Sequence, residues 1–315
     1  MIDLSIVIVN HNAGEHLPAC LRSLFENPPG ASWEVIVIDN ASSDGSPDIV
    51  RREFPAARLI AHPANPGFAA ACNLGARSSS SRYVLFLNPD TLVPPRTLDA
   101  AVTFMEAHGE AGVMGCRTIG RGGRLQPTAF GFPSPVRIFG LFSGLNRHFK
   151  VTRLKDHSKI RQPDYVQGSF LLVRRGVFES VNGFDESFFM YAEDVDLCLR
   201  VRRSGRLVYY VPDMTITHFG GGSVADSLTS LERYIRSLSL LYLRYRPAKE
   251  LKKLRRAMRL GLRLRELIWA GRMSLSLKPL RKDVLRSYRN LISLSKSGQP
   301  LDAGPVNDGG LAGKK

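Results

Sequence analysis

Apolar residues in this chain fall into short runs that polar residues cut off abruptly. Leu4 to Val9 ends in Asn10-His11-Asn12, Val35 to Ile38 ends in Asp39-Asn40, and Tyr83 to Leu87 ends in Asn88-Pro89-Asp90. Runs of this length bounded by turn formers predict strands buried on both faces of a parallel sheet. Between the first two, Leu17, Cys20, Leu21, Leu24 and Phe25 recur at helical spacing, and Pro28-Pro29-Gly30 ends that helix. A short strand at Leu59-Ile60 leads into Asn65-Pro66-Gly67, and a helix of small residues follows over about 68–77. Strand and helix alternate, so the pattern predicts an α/β fold whose central, mostly parallel sheet is joined by right-handed crossovers.

Asn10, Asp39 and Asp90 each close a strand, all on the carboxyl edge of that sheet. In open α/β sheets ligands bind at this edge. Asp90 is a candidate metal or phosphate-site residue, although Asn-Pro-Asp is also ordinary turn chemistry. The chain carries neither Gly-x-Gly-x-x-Gly after its first strand nor Gly-x-x-x-x-Gly-Lys-Ser/Thr. A dinucleotide fold and a P-loop are therefore disfavoured. A phosphate bound without Gly-rich amides or a dedicated lysine points to a divalent metal as its counter-ion.

Further on, a helix is expected over 97–108 and a strand around Val113-Met114-Gly115. No period fits 121–161, where Phe130, Phe132, Phe139 and Phe142 are interspersed with Pro133 and Pro135. The segment is expected to be a long loop, either mobile and functional or packed back on its own domain. Strand character returns over 165–173, and a helix is expected from Glu193 to Ser204, with Gly205 as its stop. Asp194 and Asp196 lie two apart on that helix and point to nearly opposite sides. Asp196 has Arg200 at i+4 and is expected to form a solvated ion pair. Asp194 can face the crevice, where the helix N-terminus favours its ionised form; it can equally be a first-turn capping carboxylate. His218 ends a strand before Gly220-Gly221-Gly222-Ser223.

Taken together, Val7-Ile8-Val9-Asn10, Val37-Ile38-Asp39-Asn40-Ala41-Ser42-Ser43-Asp44-Gly45-Ser46, Asn65-Pro66-Gly67-Phe68, Leu87-Asn88-Pro89-Asp90 and Glu193-Asp194-Val195-Asp196-Leu197 resemble glycosyltransferase family 2, and most closely its rhamnosyltransferase-like branch. The resemblance covers roughly 3–224 and implies the GT-A fold, a nucleotide-diphospho-sugar transferase architecture. It implies that Asp39 holds the base or ribose, that Asn10, Asn65, Gly67 and Asn88 border the nucleotide-sugar site, and that Asp90 binds Mn2+ or Mg2+ on the diphosphate. Asn88 stands where the family's Asp-x-Asp-like motif has its first Asp. The same resemblance makes Asp194 the catalytic base and Glu193 a positioning residue beside the donor, with His218 completing the metal shell. Nitrogen ligation suits Mn2+ better than Mg2+. The implied reaction is an inverting transfer, of rhamnose from dTDP-rhamnose, onto a lipid-linked or cell-envelope glycan.

Charge adds a second theme. Residues 244–296 carry 17 Lys or Arg against three acids, a net of +14, whereas 1–243 hold 25 basic and 23 acidic side chains. The reading is a catalytic domain over 1–225, a basic amphipathic helical region over 226–297, and a disordered tail over 298–315. In the helical region Leu254, Met258, Leu262 and Trp269 are expected at the headgroup boundary of an anionic membrane; a solvated face or a homo-oligomer interface is the alternative. Neither a signal peptide nor a spanning segment is apparent, and Cys20, Cys72, Cys116 and Cys198 fit no zinc or disulfide pattern. The expected setting is cytoplasmic, peripheral to the inner face of the membrane. Two rivals remain: a sugar-phosphate nucleotidyltransferase, whose Gly-rich first turn is missing, and a basic nucleic-acid-binding protein, for which there is no recognition motif.

Overall fold

The computed structural model describes residues 2–145, 157–220, 228–274 and 289–293. The elements run β1 (Leu4–Asn10), α1 (His16–Phe25), β2 (Trp33–Asn40), α2 (Ser46–Glu53), β3 (Ala57–His62), α3 (Phe68–Arg77), β4 (Tyr83–Leu87), β5 (Thr91–Leu92), α4 (Thr97–Ala107) and β6 (Ala111–Ile119). They continue with β7 (Leu125–Gln126), β8 (Ala129–Phe130), α5 (Pro135–Ser143), β9 (Tyr165–Val166), β10 (Phe170–Arg174), α6 (Arg175–Ser180), α7 (Glu193–Arg203), β11 (Leu207–His218), α8 (Leu228–Tyr245) and α9 (Ala248–Ser274).

The main sheet has the order β3-β2-β1-β4-β10-β6-β11-β5, with β7 beside β6. Its first four strands are parallel, as alternating strands and helices require. Register aligns their ends: Asn10 faces Asp39, and Ile8 faces Leu87. The parallel run is broken by β10, which lies antiparallel between β4 and β6. Its approach at Gln167-Gly168-Ser169 comes from the short β8–β9 ribbon rather than from a crossover helix.

Both sheet faces are buried, which accounts for the unbroken apolar runs. Ile6, Ile8, Val35 and Leu85 pack with Leu17, Leu21 and Leu24 of α1. The opposite face, with Val7, Val9, Ile36 and Phe86, belongs to a core that continues through Phe142, Leu231, Ile235, Leu238, Leu254, Met258 and Leu262. Helices α8 and α9 therefore share a core with the sheet.

Three expectations change here. The segment over 121–161 is not one long loop: it contains a 3-10 turn at Arg121–Gly123, β7, β8 and α5, with Ser134 capping α5 through the Arg137 N–H. The prolines that obscured its period sit at helix entry, where an N–H has no partner to lose. Leu254, Met258 and Leu262 are not at an outer surface, since each is fully buried. At their crossing, Gly261 lets α9 approach α5 so closely that a Cβ would lie 2.9 Å from the Phe139 carbonyl oxygen. The same apolar stripe serves a membrane or a protein core equally well, and here α5 and α8 cover it. Last, Asp196 is fully buried rather than solvated. The Trp269 side chain, most of the basic segment over 277–294 and the tail over 298–315 lie outside the described residues.

Candidate functional site

At the carboxyl edge, β1 and β2 present Asn10 and Asp39 side by side. The Asn10 amide donates to Asp39 Oδ1 at 2.8 Å and lies within reach of Ser42 Oγ (3.0 Å) and Ser46 Oγ (2.8 Å). The Ser42 N–H donates to Asp39 Oδ2 at 3.2 Å. Asn10 has 0% exposure, so it reaches the crevice only through the carboxylate it orients. Next to it, the Asn40 amide donates to Asn65 Oδ1 (3.3 Å) and to the Gly67 carbonyl (3.2 Å). Gly67 has φ of +95°, and a Cβ on it would meet the Phe189 carbonyl oxygen at 2.5 Å. Both constraints require glycine. The Phe68 N–H then donates to that same oxygen at 2.7 Å, tying the start of α3 to the segment before α7.

Asp90 follows β4, and β11 pairs antiparallel with β5 so that His218 faces Thr91. This pairing brings together residues 128 apart in sequence: His218 Nε2 is 3.2 Å from Asp90 Oδ1. Nε2 is also 3.2 Å from the Asn88 amide nitrogen, while Nδ1 is 3.0 Å from Gln126 Oε1. Gln126 at Nδ1 fixes the ring with Nε2 facing Asp90, which is how a metal-ligating histidine is oriented. Burial alone would raise the Asp90 carboxyl, but the hydrogen bond and charge of His218 outweigh it and hold it below the usual carboxylate range. Gln126 carries no motif in sequence; only its position on β7 beside β6 assigns it here.

Does this donor set fit a divalent ion? Asp90 and His218 offer one oxygen and one nitrogen within reach of a common point. No group of three or more His, Cys, Asp or Glu among the described residues could hold a metal. The site thus fits an ion whose remaining positions come from a bound ligand, as diphosphate oxygens would supply.

Asp194 occupies the first turn of α7. Its Oδ2 accepts from the Gly168 N–H at 3.1 Å and its Oδ1 from the Val195 N–H at 2.8 Å. Burial pushes its carboxyl up to about 6 despite both bonds. The next residue but one after Gly168 begins β10, and between them the Ser169 carbonyl accepts from the Asn88 N–H at 3.2 Å. Two hydrogen bonds thereby connect Asp194 to the Asn88-Pro89-Asp90 turn. Glu193 is buried, and one of its carboxylate oxygens has no hydrogen-bond partner. Burial, then the neighbouring Asp194, holds its carboxyl well above the usual range. Asp196 points the other way, to Arg200 (Nη2 at 2.6 Å) and to the Tyr245 hydroxyl, which donates at 2.6 Å. The sequence-derived candidates therefore form three groups on one edge: Asn10, Asp39, Asn65 and Gly67; Asn88, Asp90 and His218; Glu193 and Asp194.

Comparison with known proteins bears on the family and the fold. The family model described as Glycosyl transferase family 2 matches residues 5–181. An N-acetylglucosaminyl-diphospho-decaprenol L-rhamnosyltransferase of Mycobacterium tuberculosis is 33% identical over 235 residues, covering 68% of this chain and 75% of that relative. Rhamnosyltransferase WbbL of Escherichia coli K12 is 28% identical over 225 residues, covering 68% of this chain and 82% of WbbL. A Pyrobaculum calidifontis mannosyltransferase solved with GDP-Man and Mn2+ superposes with a TM-score of 0.57 at 18% identity, covering 94% of this chain and 86% of that one. That likeness speaks to the fold.

Proposed function

The chain belongs to glycosyltransferase family 2, and from that premise we propose that it transfers a sugar, rhamnose from dTDP-rhamnose, with inversion onto a hydroxyl of a lipid-linked glycan. Asp39, oriented by Asn10, reads the nucleoside, and Asn65 and Gly67 shape the backbone beside it. Asp90 and His218 would hold Mn2+ or Mg2+, which when bound neutralises the charge of the departing nucleoside diphosphate. Asp194 accepts the proton of the acceptor hydroxyl as that oxygen attacks the anomeric carbon. Glu193, buried beside it, is a positioning residue. The observation that carries this reading is the pair of hydrogen bonds linking Asp194 through Gly168-Ser169 to the Asn88–Asp90 turn, which sets a base beside a candidate diphosphate site.

Both relatives' names support rhamnose as the sugar, and that of the Mycobacterium tuberculosis enzyme supports an acceptor built on decaprenyl diphosphate. The test is transfer of labelled sugar from a panel of nucleotide sugars to a lipid-linked N-acetylglucosamine diphosphate, with and without chelator. Label should move from dTDP-rhamnose, stop with chelator and return with Mn2+. Pyrophosphate release from a nucleoside triphosphate and a sugar phosphate, with no transfer, would favour the nucleotidyltransferase reading instead.

A lipid-linked acceptor requires work at a bilayer, and no described helix is long and apolar enough to cross one. The outward stripe of α9 supplies an interfacial surface: Lys253, Arg256, Leu260, Arg263 and Leu267 are exposed at successive intervals of three or four residues. Leucines at such a surface enter the headgroup layer while the arginines meet anionic lipid. On this reading the enzyme works at the inner face of the membrane.

A further inference from the structure

The C-terminal helix α8 does more than cover the sheet. Between α6 and α7 the chain makes an irregular passage over 181–192, and it enters α7 through two successive non-glycine residues in the left-handed region, Tyr191 (φ +71°) and Ala192 (φ +64°). Each such residue is costly, and a pair persists only where its surroundings over-determine it. Asp194 begins two residues later, so this kink aims it.

Contacts from α8 hold the passage at intervals. The Ser237 hydroxyl donates to the Met190 carbonyl at 2.8 Å, immediately before the kink. Tyr234 packs edge-on against Tyr191, with ring centres 5.9 Å apart. Arg244 pairs with Asp185, donates to Ser187 Oγ at 2.8 Å and lies over the Phe188 ring. Immediately after the kink, Tyr245 donates to the buried Asp196. Arg200 donates to the other oxygen of Asp196 and to the Gly183 carbonyl at 2.7 Å, closing the loop on itself. The kink is thus gripped on both sides, by Ser237 before it and by Tyr245 after it.

We propose that Ser237 and Tyr245 of α8 are positioning residues for Asp194, holding the left-handed turn from which the base projects. The inference rests on the reading of Asp194 as the base. Neither side chain touches Asn10, Asp39, Asn88, Asp90 or His218, so their effect should fall chiefly on the chemical step. A displacement of the order of 1 Å in a reacting group costs about 100-fold in rate, and loss of one of two anchors should cost about tenfold.

The experiment uses the full chain. Tyr245→Phe and Ser237→Ala, which keep volume and ring, are each measured alone and combined with Asp194→Asn, together with donor KM and thermal melting. The expected result is a roughly tenfold lower kcat with donor KM unchanged in each single variant. On top of Asp194→Asn neither variant should cost more, because there is no base left to misplace. An unchanged kcat in both single variants overturns the proposal. So does the same fractional loss in both backgrounds, or a parallel rise in donor KM with loss of the folded baseline, since a merely structural role predicts those. Full turnover by Asp194→Asn would remove the base reading and this inference with it, a result separable from failure of the positioning role alone.

Discussion

At the scale of single residues, one half-buried carboxylate has a backbone N–H on each oxygen, and another is paired with an imidazole. Asp194→Asn keeps the shape and should lower kcat by roughly 100-fold or more, the usual scale for a general base. Binding of the nucleotide sugar, measured by calorimetry, should persist. Asp194 is raised to about 6 by burial. It must be ionised to act, so kcat/KM should fall about tenfold per pH unit below about 6 and level off above it. Linkage runs in the opposite sense: a raised carboxyl binds its proton more tightly in the native state, so this group's contribution to stability declines as pH rises from about 4 to about 6. At the other centre, Gln126→Ala should leave the His218 tautomer unfixed and raise the Mn2+ concentration needed for half activity by about 10- to 100-fold. An unchanged metal requirement would remove Gln126 from the site.

At the scale of elements, α9 has two faces with different work. Its inner face, Leu254, Met258 and Leu262, is buried against α5 and α8, so Leu254→Ala or Met258→Ala should each destabilise by about 2–5 kcal/mol in denaturant unfolding. Vesicle binding by the folded fraction should not change. The outer face should behave in the opposite way. Replacing Leu260 and Leu267 by Ser, with Arg256 and Arg263 by Ser, should leave unfolding within about 0.5 kcal/mol per site, as surface changes do. It should abolish pelleting with anionic vesicles. Cutting the chain before α9 is the poorer experiment, because it would uncover Ile138 and Phe142 along with removing the charge. If the outer-face variant still pellets, the stripe is a solvated face or an oligomer contact.

At the scale of the whole molecule, charge and chemistry are segregated. The body is nearly neutral, and the +14 lies in 244–296. Attachment through that block should be released by salt within the range where the Debye length shrinks from about 10 Å at 0.1 M toward 3 Å at 1 M. Transfer to a short, water-soluble acceptor analogue should vary far less over the same range. Equal salt sensitivity of both would mean that the basic block acts on the substrate directly and not through a surface. The shared core joins α8 and α9 to the sheet in one packed body.

The strands, their alternation with helices and the polar residues at their ends were legible in the sequence because burial on both faces leaves no polar position inside a strand. Asp39 and Asp90 stood out as carboxylates on the carboxyl edge of the sheet, whereas Asp194, an ordinary first-turn acid by itself, stood out only through the motif it belongs to. What the sequence could not show is every relation that depends on distance between elements. The 3.2 Å approach of His218 to Asp90 exists because β5 pairs with β11, and no local pattern encodes that pairing. Asp196 and Arg200 at i+4 look like any exposed ion pair until Tyr245 closes over them. Leu254, Met258 and Leu262 form an apolar stripe in either setting, and only the arrival of α5, admitted by Gly261, decides that the stripe is interior. A local pattern specifies which face of an element is apolar. What meets that face is a property of the packed chain.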